Sequence, residues 1–429
     1  MTASDTSPTD GLSARLAALD LVEAALDHRG GLEEAMSRAP FDGLELRDRA
    51  LARMIAMTLL RRLGGIDKLL QTKLAKPPPA AVMMLLRLGA VQALYLDTPA
   101  FAAVDTTVRL AEQNPATRPF KGLINAVLRG LLRQPAPVED PEIYVPGWLF
   151  ARWAAAFGEA EARAVAAMIL EEPATDLTLR DPAETGALAE AIGAHPLPGG
   201  SLRVNHRGDV AGWPGYAEGR WWVQDAAAAI PARIASVQQG ETVVDLCAAP
   251  GGKMLQLAAA GGQVVAVDRS APRLRRVTSA LERIGLSAEA VQAEAASWPD
   301  QRRFDVVLLD APCSATGTFR RHPDVVWGTR PPDIAKLAMV QSRLLDAAAN
   351  RMADKGRLIY CVCSLEPEEG EAQIEGFLKR RPEFHLSPIA AGEGGAPAAS
   401  ITAAGWLRIL PHHLSGGLDG FFIARLVKP

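Results

Sequence analysis

Apolar residues recur at helical spacing through the first third of the chain and in short strand-like runs through the last, and this change of period divides the molecule. Leu16, Leu19, Val22, Ala25 and Leu26 fall on one helical face. A second amphipathic run goes from Arg49 to Leu63. It stops at Gly64-Gly65, which reads as a C-cap because glycine enters the left-handed conformation freely. Pro77-Pro78-Pro79 interrupts the pattern. It resumes from Ala80 to Leu96, from Val104 to Glu112 and from Gly122 to Leu132. No strand pattern competes, so residues 10–134 are predicted to be all-α. The stretch Gln134-Pro135-Ala136-Pro137-Val138-Glu139-Asp140-Pro141 reads as a linker.

Residues 145–235 are mixed and predict a small α+β connector. Leu149 to Leu170 has the helical period, whereas Asp176 to Arg180, Ser201 to Asn205 and Trp221 to Val223 read as short strands. From 236 to 429 the pattern alternates. Thr242–Leu246, Gln263–Val267, Phe304–Leu309 and Gly356–Cys361 are apolar runs separated by helical segments. That alternation predicts a parallel, doubly wound, Rossmann-like α/β sheet. The Gly/Ala/Pro-rich stretch Ala390 to Ala399 predicts a mobile loop.

Composition adds little until it is read locally. With 48 % hydrophobic and 22 % charged residues the chain is an ordinary globular one, and its net charge of −3 does not announce a polyanion binder. Between Arg47 and Arg133, however, 14 Lys and Arg stand against 5 Asp and Glu. Such asymmetry marks a polyanion-facing surface or a merely solvated face. Met1 to Gly11 lacks the basic and apolar regions of a signal peptide, and no apolar run reaches the roughly 18–20 residues that cross a bilayer. The expected location is the cytoplasm, with no membrane contact and no obligate protein partner evident. Four cysteines, Cys247, Cys313, Cys361 and Cys363, are too few for a disulfide scaffold in a chain of 429 residues. Cys361 and Cys363 lack zinc-site spacing, so no metal is expected.

Two segments carry candidate chemistry. In Asp245-Leu246-Cys247-Ala248-Ala249-Pro250-Gly251-Gly252-Lys253 a strand enters a tight turn and then a helix. Gly251 and Gly252 allow close backbone approach to a ligand, and the helix N-terminus offers free N–H groups. Asp268, directly after the second strand, is placed to take two ribose hydroxyls. A nicotinamide enzyme would satisfy this too, but the turn is neither G-x-G-x-x-G nor a P-loop. The second segment is Leu309-Asp310-Ala311-Pro312-Cys313-Ser314-Ala315-Thr316-Gly317, continued by Arg320-Arg321-His322-Pro323-Asp324 and Trp327. It is paired with Tyr360-Cys361-Val362-Cys363-Ser364-Leu365-Glu366-Pro367-Glu368-Glu369. Both lie at carboxyl ends of predicted strands, where doubly wound sheets bind ligands. Cys361, on the strand, reads as a small buried hydrophobe. Cys247 reads as loop packing, and His322 as a structural or RNA-backbone contact.

These segments resemble those of the Sun-type RNA cytosine-5 methyltransferases. The resemblance implies that Cys247, Ala248, Ala249, Pro250, Gly251, Gly252 and Lys253 wrap the methionine end of S-adenosylmethionine. It implies that Asp268 holds the ribose and that Glu294, where the family usually has Asp, approaches the adenine. Cys363 would be the nucleophile toward C6 of cytosine and Cys313 would assist release. Asp310 would contact the cofactor or the base edge. Val362 replaces the usual Thr and leaves Cys363 in register. The helical region resembles the RNA-binding fold of the NusB antitermination factors through Arg47-Asp48-Arg49, Leu85-Leu86-Arg87-Leu88-Gly89 and Asn125-Ala126-Val127-Leu128-Arg129. The pairing of the two halves implies RNA as partner, 16S ribosomal RNA first and transfer RNA second. The opposing reading is a non-catalytic RNA-binding factor, against which the intact Cys313, Cys363, Asp310 and glycine turn argue.

Overall fold

The computed structural model describes residues 11–27, 31–133, 140–206 and 208–428. The polar start up to Asp10 and residues 134–139 of the expected linker lie outside the described residues. The chain forms two compact bodies. One holds the residues up to Glu171 together with Arg321–Gly328, and the other holds Glu172–Arg320 and Thr329–Pro429. The stretch 145–235 is thus shared between them.

The first body is helical. Its helices are α1 (Leu12–Leu26), α2 (Gly31–Met36), α3 (Leu46–Gln71), α4 (Ala80–Tyr95), α5 (Ala100–Gln113), α6 (Lys121–Leu131), α7 (Gly147–Phe157) and α8 (Glu159–Ala167). Leu21, Ile55, Leu59, Leu86, Val91 and Ile124 form its core. The expected end of a helix at Gly64-Gly65 is corrected: α3 runs straight through both glycines to Gln71. Their smallness serves close approach. A Cβ at Gly64 would fall 1.6 Å from the Ile143 carbonyl oxygen, and one at Gly65 would fall 2.6 Å from the Tyr144 ring. The segment Arg321–Gly328 joins this body through side chains. Asp324 accepts from the Leu32 N–H at 3.3 Å, and the Trp327 indole donates to the Leu60 carbonyl at 3.0 Å.

The second body begins with an antiparallel sheet of β1 (Thr175–Leu179), β2 (His195–Pro196), β3 (Leu202–Val204) and β4 (Trp221–Val223), in the order β2-β3-β1-β4. Buried Arg203 fastens it, donating to both oxygens of Asp176 at 2.7 and 2.8 Å and to the Gly417 carbonyl at 2.7 Å. The main sheet contains β5 (Thr242–Leu246), β6 (Gln263–Asp268), β7 (Glu289–Gln292), β8 (Phe304–Asp310), β9 (Met352–Val362), β10 (His385–Leu386), β11 (Leu407–Ile409) and β12 (Phe421–Val427). Its order is β10-β12-β9-β8-β5-β6-β7, with β11 beside β12. Strands β5 to β9 pair in parallel and β12 runs antiparallel to β9. The connections diverge on either side of β5 and β8, which opens a crevice at the carboxyl ends of those strands.

The Ala390–Ala399 stretch, expected as a mobile loop, is packed in part. Ile389 and Ala396 are buried, and Glu393 pairs with Arg425. A Cβ at Gly395 would lie 2.5 Å from the Pro198 carbonyl oxygen. The small residues here permit tight packing. Among the described residues, no helix is long and apolar enough to cross a membrane.

Candidate active site

Strand β5 ends in the Cys247–Gly251 turn, and the helix Gly252–Ala259 starts directly after it. Backbone bonds fix the turn to β6: the Ala248 N–H donates to the Val267 carbonyl at 3.0 Å and the Ala249 N–H to Asp268 Oδ2 at 3.2 Å. Gly251 has φ +110°, a conformation that a side chain would strain. The two glycines are needed by the protein itself as well as by any ligand. A Cβ on Gly252 would meet the Gln224 carboxamide at 3.1 Å, and one on Gly251 would meet Val277 at 3.3 Å. Asp268 is buried and also accepts from the Ser270 N–H at 2.8 Å. Glu294 is exposed, in the turn that the Ala293 N–H ties to the Asp268 carbonyl at 3.1 Å.

The cleft is strongly acidic. Burial, then Asp310, Asp245, Asp268 and Glu294, pushes the Cys247 thiol up to about 12, which suits packing and not nucleophilic attack. Asp245 is fully enclosed, and neither of its side-chain oxygens has a hydrogen-bond partner among the described residues. Burial first, and Asp310 second, hold its carboxyl well above the ordinary value. An orphaned acid facing Asp310 and Asp268, with Lys253 committed to Asp310, is costly without a further cation. A sulfonium amino acid supplies two positive groups, so the residues present fit S-adenosylmethionine. In the sequence Asp245 reads only as a strand residue. Its isolation is a property of the fold.

Strand β8 delivers Asp310 and Cys313, and its parallel neighbour β9 delivers Cys361 and Cys363. Asp310 Oδ2 accepts from Lys253 Nζ at 2.6 Å, and the ammonium lies 5.2 Å from the Phe421 ring centroid. Burial alone would lower the Lys253 pKa, but Asp310 and the nearby thiols hold it above its usual value. Cys361 is buried on the strand, with its sulfur 3.4 Å from Asp310 Oδ1, and burial pushes its thiol well up. The sulfurs of Cys313 and Cys363, both partly exposed, stand 3.5 Å apart. The hydrogen bond with Cys363, then burial, holds the Cys313 thiol well above its ordinary value. The structure therefore groups Lys253, Asp310, Cys313, Cys361 and Cys363. His322 belongs to the helical body.

Sequence reading gave no role to the polar web behind the thiols. Buried Glu369 accepts from the Ser314 N–H at 2.9 Å, the Ser314 hydroxyl at 2.5 Å, the Ser364 hydroxyl at 2.5 Å and the Gln341 amide at 3.0 Å. A carboxylate with four donors is a strong, fixed anchor. Glu369 follows Glu368 directly, and nothing local says which of the two turns inward.

Comparison with known proteins gives consistent matches. A family model described as 16S rRNA methyltransferase RsmB/F matches residues 232–427, and one described as the NusB family matches residues 12–133. The Ribosomal RNA small subunit methyltransferase B of Pseudomonas syringae pv. tomato is 36 % identical, covering 97 % of each chain. The protein of the same name from Salmonella arizonae is 36 % identical over 89 % of this chain and 91 % of its own. Among solved structures, the one titled Crystal Structure of PH0851 is similar over 99 % of both chains, with TM-score 0.77 and 25 % identity.

Proposed function

The chain belongs to the RsmB/F family of 16S rRNA methyltransferases, with a NusB-family domain on its N-terminal side, and from that premise we propose that it methylates C5 of a cytosine in 16S ribosomal RNA through a covalent Cys363 adduct. The observation that carries this reading is the pair of sulfurs 3.5 Å apart, at the ends of adjacent parallel strands and beside the Lys253–Asp310 pair.

C5 of cytosine is too weak a nucleophile to take a methyl group unaided. Addition of the Cys363 thiolate to C6 forms a C–S bond and moves the C5–C6 π electrons onto C5. Asp310, held by Lys253, faces the base edge and supports protonation at N3. The Cys247–Lys253 turn, Asp245, Asp268 and Glu294 would hold S-adenosylmethionine, whose sulfonium would supply the methyl group. Loss of the C5 proton to water restores the double bond and expels the Cys363 thiolate. Cys313 keeps its own proton tightly and enters as a thiol, so its S–H stabilises the departing sulfur. The target must leave its stack to reach the crevice.

A denaturing gel of protein with methylated RNA tests the two roles. Cys363→Ala is expected to be inactive and to leave no adduct. Cys313→Ala is expected to methylate and then accumulate a slow-migrating protein–RNA band. A band with Cys363→Ala, or none with Cys313→Ala, would overturn the assignment. Bisulfite sequencing of ribosomal and transfer RNA, from cells with and without the protein, decides the substrate.

A further inference from the structure

The two thiols sit on different loops, and nothing covalent sets the gap between them. One loop leaves β8 and the other leaves β9. Past Asp310, the backbone bonds that join the two segments among the described residues are Ala311 N–H to the Cys361 carbonyl and Gly317 N–H to the Cys363 carbonyl, each at 3.0 Å, and the other connections are a web of side chains. Ser314 follows Cys313, and Ser364 follows Cys363. Their hydroxyls lie 3.1 Å apart and both donate to one oxygen of Glu369, each at 2.5 Å. The other oxygen takes the Ser314 N–H at 2.9 Å and the Gln341 amide at 3.0 Å. Gln341 also donates to the Pro312 carbonyl at 2.9 Å, on the other side of Cys313. Glu369 is itself fixed, because its own carbonyl accepts from the fully buried Tyr360 hydroxyl at 2.6 Å, on β9.

The geometry points to Glu369 as a positioning residue that sets the separation of the two thiols, acting on Cys313 through Ser314 and on Cys363 through Ser364. The inference rests on the two-thiol reading above. It adds that each serine hydroxyl serves one step of the reaction. A buried carboxylate facing only donors is pinned from every side. Removing one serine hydroxyl loosens its own loop, which then keeps its backbone bonds and, beside Cys313, the Gln341 bridge, while the other loop keeps its full tie to Glu369. A displacement of about an ångström at a reacting group costs on the order of a hundredfold in rate.

The test separates the steps on the full-length protein, by single-turnover methyl transfer and by decay of the covalent band. Ser314→Ala is expected to keep methyl transfer within about threefold of the parent and to slow release at least about tenfold, so that the adduct accumulates. Ser364→Ala is expected to slow adduct formation by about tenfold or more and to leave no accumulated band. Glu369→Gln, which brings two donors against existing donors, should slow both steps while S-adenosylmethionine affinity stays within about twofold. A merely structural web predicts a different result: both serine variants lose activity in the same proportion, in step with a lowered melting temperature, and that result overturns the inference. So do serine variants that leave both steps untouched. Cys363→Ala run in parallel keeps the two ideas distinct, because an adduct in that variant defeats the two-thiol reading itself, whatever the serines do.

Discussion

Asp245 is costly to the fold, and the proposed function gives it a use as a counter-charge to the cofactor. Its carboxyl is held well above the ordinary value by burial. The folded protein therefore binds a proton that the unfolded chain gives up at about pH 4. Stability contributed at this position falls as pH rises from there toward the folded-state value. Asp245→Asn should raise the melting temperature of the cofactor-free protein. The gain should be small near pH 4 and grow as the pH rises above it. On the proposed assignment, the same variant should weaken S-adenosylmethionine binding by about tenfold or more, because the acid proposed to face the cationic ligand is gone. Scanning fluorimetry across pH and titration calorimetry check both halves. A pH-independent gain, or undiminished affinity, would refute the assignment. Residue identities at the site were legible because Cys313, Cys363, Asp310 and Lys253 stand in recognisable local runs. Which carboxylate would be orphaned, and which would gather four donors, was not legible: Ser364 is a near neighbour of Glu369, but Gln341 and Ser314 come from 28 and 55 positions away.

At the scale of elements, glycine carries opposite meanings that the sequence does not distinguish. Gly64 sits inside α3, where alanine would raise helix propensity by about 1 kcal/mol. Its Cβ would nevertheless strike the Ile143 carbonyl. Gly64→Ala should therefore destabilise by about 1–3 kcal/mol or more, seen as a lowered denaturant midpoint. A raised midpoint would show that the 141–144 turn can yield. Gly252, by contrast, begins the Gly252–Ala259 helix, and its Cβ would press on Gln224, which donates to Gln256 at 2.8 Å and accepts from the Trp222 indole at 2.7 Å. Gly252→Val should displace the turn and abolish S-adenosylmethionine binding in calorimetry, with the Lys253–Asp310 pair disturbed as well. Unchanged affinity would sink the assignment of this turn to the cofactor. Helical period and strand alternation located most of these elements. The end of α3 was misplaced because Gly-Gly at the close of an apolar run looks the same whether it caps a helix or makes room for a neighbour.

For the whole molecule, the question is whether the basic stretch from Arg47 to Arg133 grips RNA. Arg129 and Arg133 are exposed at the end of α6 and just past it. Removing residues 1–134 would also strip Leu32 and Leu60 from Asp324 and Trp327, so charge reversal is the cleaner probe. Arg129→Glu with Arg133→Glu should flatten the logarithmic salt dependence of RNA binding, by about 0.7 for each single-strand phosphate that is no longer neutralised. An unchanged slope would mark the patch as a solvated face. The sequence by itself determined the order of the two halves, the alternating sheet, the strand–turn–helix around Gly251 and the placing of two thiols at strand ends, because each is written in contiguous residues whose period or spacing is local. Only the tertiary structure decided three other things: that Arg321–Gly328 joins the helical body, that two glycines inside a helix make room for a turn some 80 residues on, and that Glu369 ties two loops together. Those depend on distances between segments remote in sequence, which local pattern does not encode and which packing alone fixes.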